Sequence, residues 1–536
     1  MQFSYNALGQ EFLRQSKAGF ANSSHYTATG LLAHQRAGRG TESFLQSLHN
    51  NPLQPPISTD VHRGYQYDKA FNLVNIDDAR WNRTQYRYNA NDQIVETQYS
   101  NQFECQSEKF QYDNNLNITE HQFIPSDAQG AFLQLAQQQQ KGRVTRRITA
   151  KGYQDYHYDI NGRLTQKVVH QHGFRAKTWY YQWNTLNQLI ACFNPEGKCW
   201  RYTYDAFGRR LSKSKVVDNR PISPPNSPFK NKRVQRVDYL WSGDQMVQET
   251  PIYADGTPAY DSQIQWLYQP NEITPTARYQ RGKLHYVVTD HQGTPREIFS
   301  EKGIVSWAGR LNTWGQMAFW QSHDNYADND PEYTECHFRF AGQYEDKESG
   351  LYYNRFRYYD KDTGQYISPD PIGLLGGFNP YGYVYCPTGW VDPFGLAGCP
   401  IREINGTKIY GKGQKDGTPG HDQFSEVIAN KLAMSGQFKA IYLNRSYSFA
   451  LGKRISARRP DVMAIDIHGK IHAIELASKT DMGTKLPLLT SRNHEVISKL
   501  PTKQQGKILI LEHEYKHKDI KEILDKLILD ILRNNN

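Results

Sequence analysis

The sequence predicts a long β-rich region of repeated hairpins followed by a small α/β domain. Three observations support this fold class. Aromatic residues make up 13% of the 536-residue chain, including 36 tyrosines, and such side chains favour strands. An aromatic-x-aromatic-Asp/Asn pattern recurs over the first 300 residues. From Ala397 onwards tyrosine becomes rarer, lysine becomes commoner and helical periodicity begins, which indicates a second kind of domain.

The repeat region contains six segments in which an aromatic-x-aromatic triplet precedes Asp or Asn, a turn and a β-type run. These segments begin at Tyr65, Tyr86, Phe110, Tyr156, Tyr181 and Tyr202. The alternation directs both aromatic side chains to one face of a strand, and the Asp/Asn-x-x-Gly/Asn segment supplies the turn. Each segment therefore predicts a β-hairpin. Neighbouring hairpins must stack, because one hairpin cannot bury its aromatic face.

These segments resemble the tyrosine-aspartate (YD) repeats of the rearrangement-hotspot (Rhs) family. The resemblance extends through "GLYYNRFRYYDKDTGQYISPDPIGLLGGFNPYGYVYCPTGWVDPFGL", residues 350–396, which is similar to the core-closing segment of that family. It implies that the hairpins spiral into a hollow β-shell around a variable C-terminal toxin. We therefore expect a YD-repeat shell at 1–300, a core-closing segment at 301–396 and a toxin domain at 397–536.

The core-closing segment contains two copies of Asp-Pro-x-Gly, which begin at Asp370 and Asp392. Taken alone they are typical of turns, since Asp, Pro and Gly are turn residues. Two neighbouring carboxyl groups can also share a proton, so that one acts as base and the other as acid on a peptide bond. The Rhs resemblance implies this second role, with self-cleavage between Leu396 and Ala397.

Residues 397–536 predict a small mixed sheet with helices on both faces. Two segments carry apolar residues at helical spacing, 421–436 and 518–533. Four segments are typical of strands, 439–444, 460–466, 470–478 and 507–512. The order is helix, three strands, helix or loop, strand and helix, which indicates a layered α/β domain.

One hairpin of this domain brings acidic residues together. If residues 467–469 form a three-residue loop with Gly469 in the left-handed conformation, Asp461 faces Glu475. Lys479 shares the face of Glu475 because side chains alternate along a strand. Facing carboxylates repel unless a cation lies between them, and Mg²⁺ or Mn²⁺ suits such oxygen ligands. We expect Asp461 and Glu475 to bind the metal and Lys479 to orient water or stabilise charge on a phosphate.

This hairpin resembles the PD-(D/E)xK nuclease superfamily, whose motif is carried here by Pro460-Asp461, Glu475 and a lysine. The resemblance implies a restriction-endonuclease-like fold and a metal-dependent phosphodiesterase. The lysine departs from the usual pattern. Ala477 stands two residues after the acid, and Lys479 stands four after it.

Further residues of the same domain suit a nucleic-acid substrate. Glu426, on the preceding predicted helix, matches the place of an accessory acid, or is a solvated charge on that helix. Four cations precede the hairpin and suit phosphate groups, namely Lys453, Arg454, Arg458 and Arg459. From Ala397 to the end, 23 Lys and Arg stand against 15 Asp and Glu, a net charge of +8. The first 396 residues carry 41 against 39, so the basic character belongs to the C-terminal domain.

An alternative site lies at "HEYKH", His513–His517, which fits His-Glu-x-x-His. On a helix the two histidines would fall on one face, as zinc ligands of a metalloprotease must, with Glu514 as general base. The segment lies where a predicted strand ends and the last predicted helix begins. No third ligand stands out, so polar residues that open the helix are the competing interpretation.

Composition also bears on where the protein acts. Six cysteines are few and scattered, without a disulfide framework, which favours synthesis in the cytoplasm. We find no secretory signal at Met1 and no apolar run long enough to span a membrane. We therefore expect export without a signal peptide, through a secretion machine, and action in the cytoplasm of a target cell.

Together these features predict an Rhs-type antibacterial toxin whose shell cleaves itself to release a Mg²⁺-dependent nuclease that attacks the DNA or RNA of a competitor. The resemblance implies a cognate immunity protein and a secretion-system delivery component as partners. A structural YD-repeat protein with an inactive C-terminal domain is the remaining alternative, and it predicts no action on DNA, RNA or protein.

Overall fold

The computed structural model describes residues 1–6, 10–28, 30–40, 59–100, 105–125, 133–149, 151–216, 234–270, 272–322, 334–373, 379–396, 401–404, 407–411, 421–451, 455–456, 458–477, 486–512 and 522–529. The chain divides into two compact units. The repeat unit comprises Met1–Ser4 and Glu11–Gly398, and the C-terminal unit comprises Tyr5–Gln10 and Cys399–Asn536. Within the described ranges, every helix is too short or too polar to cross a membrane.

A single sheet of 26 described strands dominates the repeat unit. From β2 to β26 each strand pairs antiparallel with the next along the chain. The first thirteen strands are β1 Gln2–Tyr5, β2 Glu11–Gln15, β3 Phe20–Tyr26, β4 Leu32–Arg39, β5 Thr59–Tyr67, β6 Leu73–Asp78, β7 Asn82–Tyr88, β8 Ile94–Tyr99, β9 Cys105–Tyr112, β10 Ile118–Pro125, β11 Leu133–Gln140, β12 Arg143–Thr149 and β13 Gly152–Tyr158. The others are β14 Leu164–Gln171, β15 Lys177–Trp183, β16 Leu189–Phe193, β17 Cys199–Tyr204, β18 Arg210–Val216, β19 Val234–Ser242, β20 Gln245–Tyr253, β21 Ile264–Leu267, β22 Ala277–Gln280, β23 Lys283–Thr289, β24 Pro295–Ser300, β25 Val305–Leu311 and β26 Met317–Ser322. The sheet thus continues past residue 300, and two of its strands lie in the predicted core-closing segment.

The repeated Asp or Asn forms the turn of each of these hairpins, as the pattern predicts. In the first repeat, Asp68 Oδ1 accepts hydrogen bonds from the backbone N–H groups of Ala70 and Asn72, at 2.8 and 2.9 Å. The third residue after the aspartate adopts the left-handed conformation, with φ 62° at Phe71 and φ 77° at Gly208. Glycine is common at this position because it lacks the Cβ that penalises positive φ. The turn is thus held by contacts between residues two to four apart in the chain.

The two aromatic residues of each repeat make different contacts. In five of the six repeats the first is buried on the inner face of the sheet, with at most 4% exposed for Tyr65, Phe110, Tyr156, Tyr181 and Tyr202. In the other repeat Tyr86 is half-buried. The second donates its hydroxyl hydrogen bond back to the preceding hairpin, as from Tyr67 to Leu32 O at 2.9 Å, Tyr158 to Val144 O at 3.0 Å and Tyr204 to Leu189 O at 2.7 Å. The predicted hairpins are confirmed. Instead of stacking as separate units, they join edge to edge into one sheet.

A buried ion cluster helps to hold early and late strands of the sheet together. The sheet curls so that Phe20 on β3 stacks on Tyr286 on β23, with ring centroids 4.5 Å apart. Nearby, Arg63 on β5 contacts Asp78 at 2.6 Å and Glu297 on β24 at 2.7 Å, and all three side chains are fully or almost fully buried. Because a buried charge is costly without partners, this cluster specifies how the two parts of the sheet meet.

The segment 334–396 packs against the inner aromatic face of the shell. It contains a four-stranded antiparallel sheet, β27 Tyr344–Asp346, β28 Leu351–Asn354, β29 Arg357–Asp360 and β30 Gln365–Tyr366. Its buried residues share hydrophobic cores with the first aromatic residue of four repeats, Phe110, Tyr156, Tyr181 and Tyr202. The aromatic face is thus buried against this segment.

The C-terminal unit contains a six-stranded mixed sheet in the order β31 to β36. The strands are β31 Ile401–Ile404, β32 Thr407–Gly411, β33 Phe438–Leu443, β34 Val462–Asp466, β35 Ile471–Ala477 and β36 Gln505–Glu512. The pairs β32–β33 and β35–β36 are parallel, and the other neighbours are antiparallel. The helices are α1 His421–Met434, α2 Tyr447–Leu451 and α3 Leu486–Ile497, and residues 522–529 are also helical.

Each face of this sheet has its own core. Helix α1 and the helical residues 522–529 pack on one face through Ile428, Leu432 and Leu524. Helices α2 and α3 pack on the other face through Tyr447 and Val496. The four predicted strands and the helices on both faces are confirmed. Strands β31 and β32 and helix α2 were not predicted, because each is only four or five residues long.

Candidate functional site

The hairpin of β34 and β35 has the register that the sequence predicts. Gly469 adopts φ 85°, and Asp466 caps the three-residue loop by accepting hydrogen bonds from the N–H groups of His468 and Lys470. Val462 pairs with Ile474. Continuing this register by one residue places Asp461 opposite Glu475, at the end of the hairpin away from the loop.

Asp461 and Glu475 lie in direct contact. The backbone N–H of Asp461 lies 3.4 Å from Glu475 Oε2, and the two carboxyl groups are within hydrogen-bonding reach of each other. Asp461 Oδ2 accepts a hydrogen bond from the backbone N–H of Leu476 at 2.8 Å. Glu475 is 9% exposed. Burial, followed by the charge of Asp461, raises the pKa of Glu475 to about 8.

This pair fits a hard divalent cation. Glu475 is buried and Asp461 half-buried, and carboxyl groups that face each other there must either share a proton or surround a positive charge. Oxygen donors are the ligands that Mg²⁺ prefers. Within the described ranges, groups of three or more His, Cys, Asp or Glu side chains suited to a metal do not occur. Mg²⁺ commonly keeps several waters, so two carboxylates together with water or phosphate oxygens are a sufficient ligand set.

Sequence reasoning missed Asn493 on helix α3. Its Nδ2 donates a hydrogen bond to Glu475 Oε1 at 2.6 Å, and the asparagine is itself 2% exposed. A lone asparagine on a helix 18 residues from the acid belongs to no motif. Only the packing of α3 on the sheet reveals the contact.

Most of the other predicted site residues of this domain lie outside the part that the structure describes. Glu426 lies on α1, and its side chain is outside the described residues, as are Lys453, Arg454, Lys479, Ala397 and the segment 513–517. Arg458 is half-buried and contacts Glu495 on α3 at 3.1 Å, whereas Arg459 is exposed. The described part of the chain thus brings together Asp461 and Glu475.

A second acidic pair lies in the repeat unit. Asp370 Oδ2 and Asp392 Oδ2 contact the same atom, Arg357 Nη2, at 2.9 and 3.4 Å. All three side chains are at most 3% exposed. Asp392 also accepts hydrogen bonds from Tyr366 Oη at 2.9 Å and from the Leu396 N–H at 3.0 Å. The structure therefore brings Asp370 and Asp392 together at one guanidinium, and Leu396 is hydrogen-bonded to Asp392.

Both interpretations of Asp-Pro-x-Gly are compatible with this geometry. Asp370 Oδ1 accepts the Ile372 N–H at 3.0 Å, which is a turn contact, while Oδ2 faces Arg357. Gly395 adopts φ 68°, and a Cβ there would lie 2.6 Å from Asn354 O, so glycine is required. The turns thus position the two carboxyl groups.

Burial also shifts the pKa of one member of the Asp370–Asp392 pair. Burial raises the pKa of Asp370 to about 6, against the opposing effect of Arg357, and the charge of Asp392 adds to the rise. This arrangement suits a pair in which one carboxyl group is protonated while the other is ionised. Sequence reasoning did not identify Arg357, because no pattern in "YNRFRYYD" marks it.

Two family models match the repeat unit. The model described as Teneurin YD-shell matches residues 62–221, and the model described as RHS protein matches residues 284–319. Both matched ranges lie within the 26-stranded sheet.

Curated relatives include the probable deoxyribonuclease RhsB of Dickeya dadantii, 32% identical over 414 residues, which are 75% of this chain and 25% of the relative. The double-stranded DNA deaminase toxin A of Burkholderia cenocepacia is 29% identical over 364 residues, 64% of this chain and 23% of the relative. The chain thus spans about a quarter of the length of these relatives. Among solved structures, the Photorhabdus luminescens Tc holotoxin pore matches with a TM-score of 0.49 and 15% identity, over 74% of this chain and 19% of that chain.

Proposed function

Because the repeat region of this chain is of the Rhs/YD-repeat type, we propose that the protein is an Rhs-type antibacterial toxin with a metal-dependent nuclease as its C-terminal domain. The observation that carries the proposal is the contact of Asp461 with the buried Glu475 at the end of a hairpin. The relatives' names support a nucleic-acid target, and DNA is the first substrate to test. RNA is the alternative outcome of the same experiment.

Asp461 and Glu475 would hold Mg²⁺ or Mn²⁺. When bound, the cation supplies Lewis-acid chemistry by polarising a phosphate oxygen and lowering the pKa of water. The protein's own contribution is to fix the two carboxylates. The Leu476 N–H holds Asp461, and Asn493 holds Glu475. Lys479 is proposed to stabilise charge on the phosphate, with Glu426 as an accessory acid.

The surroundings of the hairpin suit a polyanion. Arg459 is exposed directly before the hairpin, and Arg458 lies beside it. Cations that contact phosphate oxygens fix the position of a nucleic acid without reading its sequence. We therefore propose that binding depends on the phosphate backbone and weakens with salt.

We also propose that the shell releases this domain by cutting between Leu396 and Ala397. Asp392, ionised, would take a proton from the attacking water, and Asp370, protonated, would give its proton to the leaving amine. The peptide C–N bond breaks as the water oxygen bonds to the Leu396 carbonyl carbon, so atoms and protons balance. The hydrogen bond from the Leu396 N–H to Asp392 supports this assignment, because it brings the carboxylate to the residue that would be cut.

The biological setting follows from the proposed activity. A nuclease in its own cytoplasm would kill its producer, so a cognate immunity protein is proposed as a partner. Delivery through a secretion system, without a signal peptide, would bring the toxin to the cytoplasm of a competitor. The zinc-protease alternative at His513–His517 lies outside the described residues and stays a prediction.

The decisive experiment uses the full chain, purified with its immunity partner and then separated from it. Plasmid DNA and total tRNA are incubated with Mg²⁺, with EDTA, or with neither. Glu475→Gln is compared with Glu522→Gln, which changes an exposed glutamate of the same unit. We expect Mg²⁺-dependent cleavage that Glu475→Gln abolishes and Glu522→Gln retains. Intact nucleic acid in every lane, or equal cleavage by both variants, would refute the proposal.

A further inference from the structure

Three buried side chains form a chain of hydrogen bonds that ends on the candidate metal site. The Tyr447 hydroxyl on α2 donates to Asn493 Oδ1 on α3 at 2.7 Å, and Asn493 Nδ2 donates to Glu475 Oε1 at 2.6 Å. Tyr447 is 0% and Asn493 2% exposed. Water therefore cannot replace either contact without opening the core.

The partners of Asn493 fix the direction of its amide. Nδ2 donates both to Glu475 and to the Leu489 carbonyl, at 2.6 and 3.1 Å. Both of these partners are acceptors, so the amide nitrogen must face them and the amide oxygen must face Tyr447. If the amide were rotated, its oxygen would face two acceptors and its nitrogen would face the hydroxyl. The tyrosine and the Leu489 carbonyl therefore lock one orientation of the side chain.

Asn493 is an uncharged hydrogen-bond donor, which suits a residue that contacts the proposed cation ligand Glu475. Lysine or arginine at this position would neutralise Glu475 and repel a divalent cation. An amide instead holds one oxygen, Oε1, and leaves the carboxylate charge available. With Oε1 held, Oε2 is directed to Asp461, whose N–H lies 3.4 Å away.

The contacts around this hydrogen-bond chain connect separate elements of the C-terminal unit. The Tyr447 N–H donates to Arg458 O at 3.1 Å, in the segment that leads to Asp461. Arg458 in turn contacts Glu495 on α3. Helix α2, helix α3 and the approach to β34 are thus braced against one another around Glu475.

We propose that Asn493 is a positioning residue, held in place by Tyr447, that orients the Glu475 carboxylate toward Asp461 for binding a divalent cation. The inference rests on the proposed function, because it takes Glu475 to be a cation ligand. Asn493 acts through Glu475 and does not itself contact the substrate.

The test measures Mn²⁺ binding to the full chain by electron paramagnetic resonance of free Mn²⁺, without substrate, so that the readout is independent of activity. Asn493→Leu keeps the side-chain volume and removes the donor to Glu475. Tyr447→Phe keeps the packing and removes only the hydroxyl. Asn430→Leu and Tyr442→Phe are matched controls, since both residues are buried in the same unit.

We expect Asn493→Leu to weaken Mn²⁺ binding at least about ten-fold and Tyr447→Phe about three-fold, with both controls binding like the parent. Circular dichroism and thermal unfolding identify variants that fail to fold. For those, Asn493→Ala, which removes the donor without adding bulk, must weaken binding in a folded protein.

The failures of the two proposals are distinguishable. If Glu475→Gln abolishes Mn²⁺ binding while Asn493→Leu binds like the parent, the positioning role is refuted and the proposed metal site stands. If Mn²⁺ binding is equal in the parent and in Glu475→Gln, the hairpin does not hold the cation. Both the positioning role and the proposed metal site would then be refuted.

Discussion

Asp461 and Glu475 meet at one end of the C-terminal hairpin, where the Asp461 N–H lies 3.4 Å from Glu475 Oε2. Burial and the charge of Asp461 raise the pKa of Glu475 from 4.5 to about 8. The folded state therefore binds a proton that the unfolded state releases across this range. The contribution of this proton to the free energy of unfolding is fully present below pH 4.5 and is lost as the pH rises through about 8.

Glu475→Gln should flatten this pH dependence. The amide has nearly the shape of the protonated carboxyl group and does not titrate, so we expect the variant to unfold at a higher temperature than the parent above pH 8 and at a similar temperature near pH 5. Thermal unfolding without divalent ions, from pH 5 to 9, measures the difference. Parallel curves for the two proteins would contradict the assignment.

Mg²⁺ should stabilise the C-terminal unit more at pH 8 than at pH 5, because protons compete with the cation for Glu475. A ligand at one hundred times its dissociation constant contributes about 2.7 kcal/mol to the free energy of unfolding. Hydrogen exchange of peptides from β35, with and without Mg²⁺, measures the effect locally. Asp461→Asn should remove this Mg²⁺-dependent protection. If Mg²⁺ protected the variant as strongly as the parent, the proposed metal site would be refuted.

Self-cleavage should slow as the pH rises through about 6, because Asp370 then loses the proton that it is proposed to donate. Asp392→Asn should abolish the cut at any pH, and Asp77→Asn, which changes a half-exposed carboxylate, should not. Mass spectrometry of the products identifies the end at Leu396. A rate that increases with pH would reverse the assignment of acid and base.

Arg63→Leu should lower the free energy of unfolding of the repeat unit by about 3–5 kcal/mol, because it leaves Asp78 and Glu297 buried without their cation. Arg83→Leu is the control. Its contact with Asp77 is about half-exposed and should contribute no more than about 1 kcal/mol. Urea unfolding, monitored by tryptophan fluorescence, compares the two variants. Equal losses of the free energy of unfolding would mean that burial of the ion pair does not determine its contribution.

Gly208→Ala should destabilise the shell more than Gly197→Ala, although both glycines have positive φ. The left-handed conformation costs either alanine about 1–2 kcal/mol. At Gly208 the new Cβ would also lie 2.9 Å from the Phe356 ring, whereas Gly197 faces open space. Unfolding in urea measures both variants, and equal destabilisation would show that the ring moves aside freely.

The sequence predicted the local features of both units well. The hairpin turns, the register around Gly469 and the four main strands of the C-terminal unit follow from side-chain alternation and turn chemistry, which act over a few residues. Strands β31 and β32 were not predicted, because their four or five residues carry no distinct periodicity. The edge-to-edge joining of the hairpins was also missed, since pairing between repeats depends on contacts that no single repeat contains.

By itself, the sequence determined that the chain is built from aromatic hairpins, that two Asp-Pro-x-Gly turns occur in one segment, and that Asp461 and Glu475 share one end of a hairpin. Only the tertiary structure decided that Asp370 and Asp392 meet at Arg357, and that Asn493 reaches Glu475 from a helix. The physical reason is how far apart along the chain the interacting residues lie. Turns and strand alternation are set by neighbours along the chain, whereas these buried polar contacts exist only where packing brings distant segments within hydrogen-bonding distance.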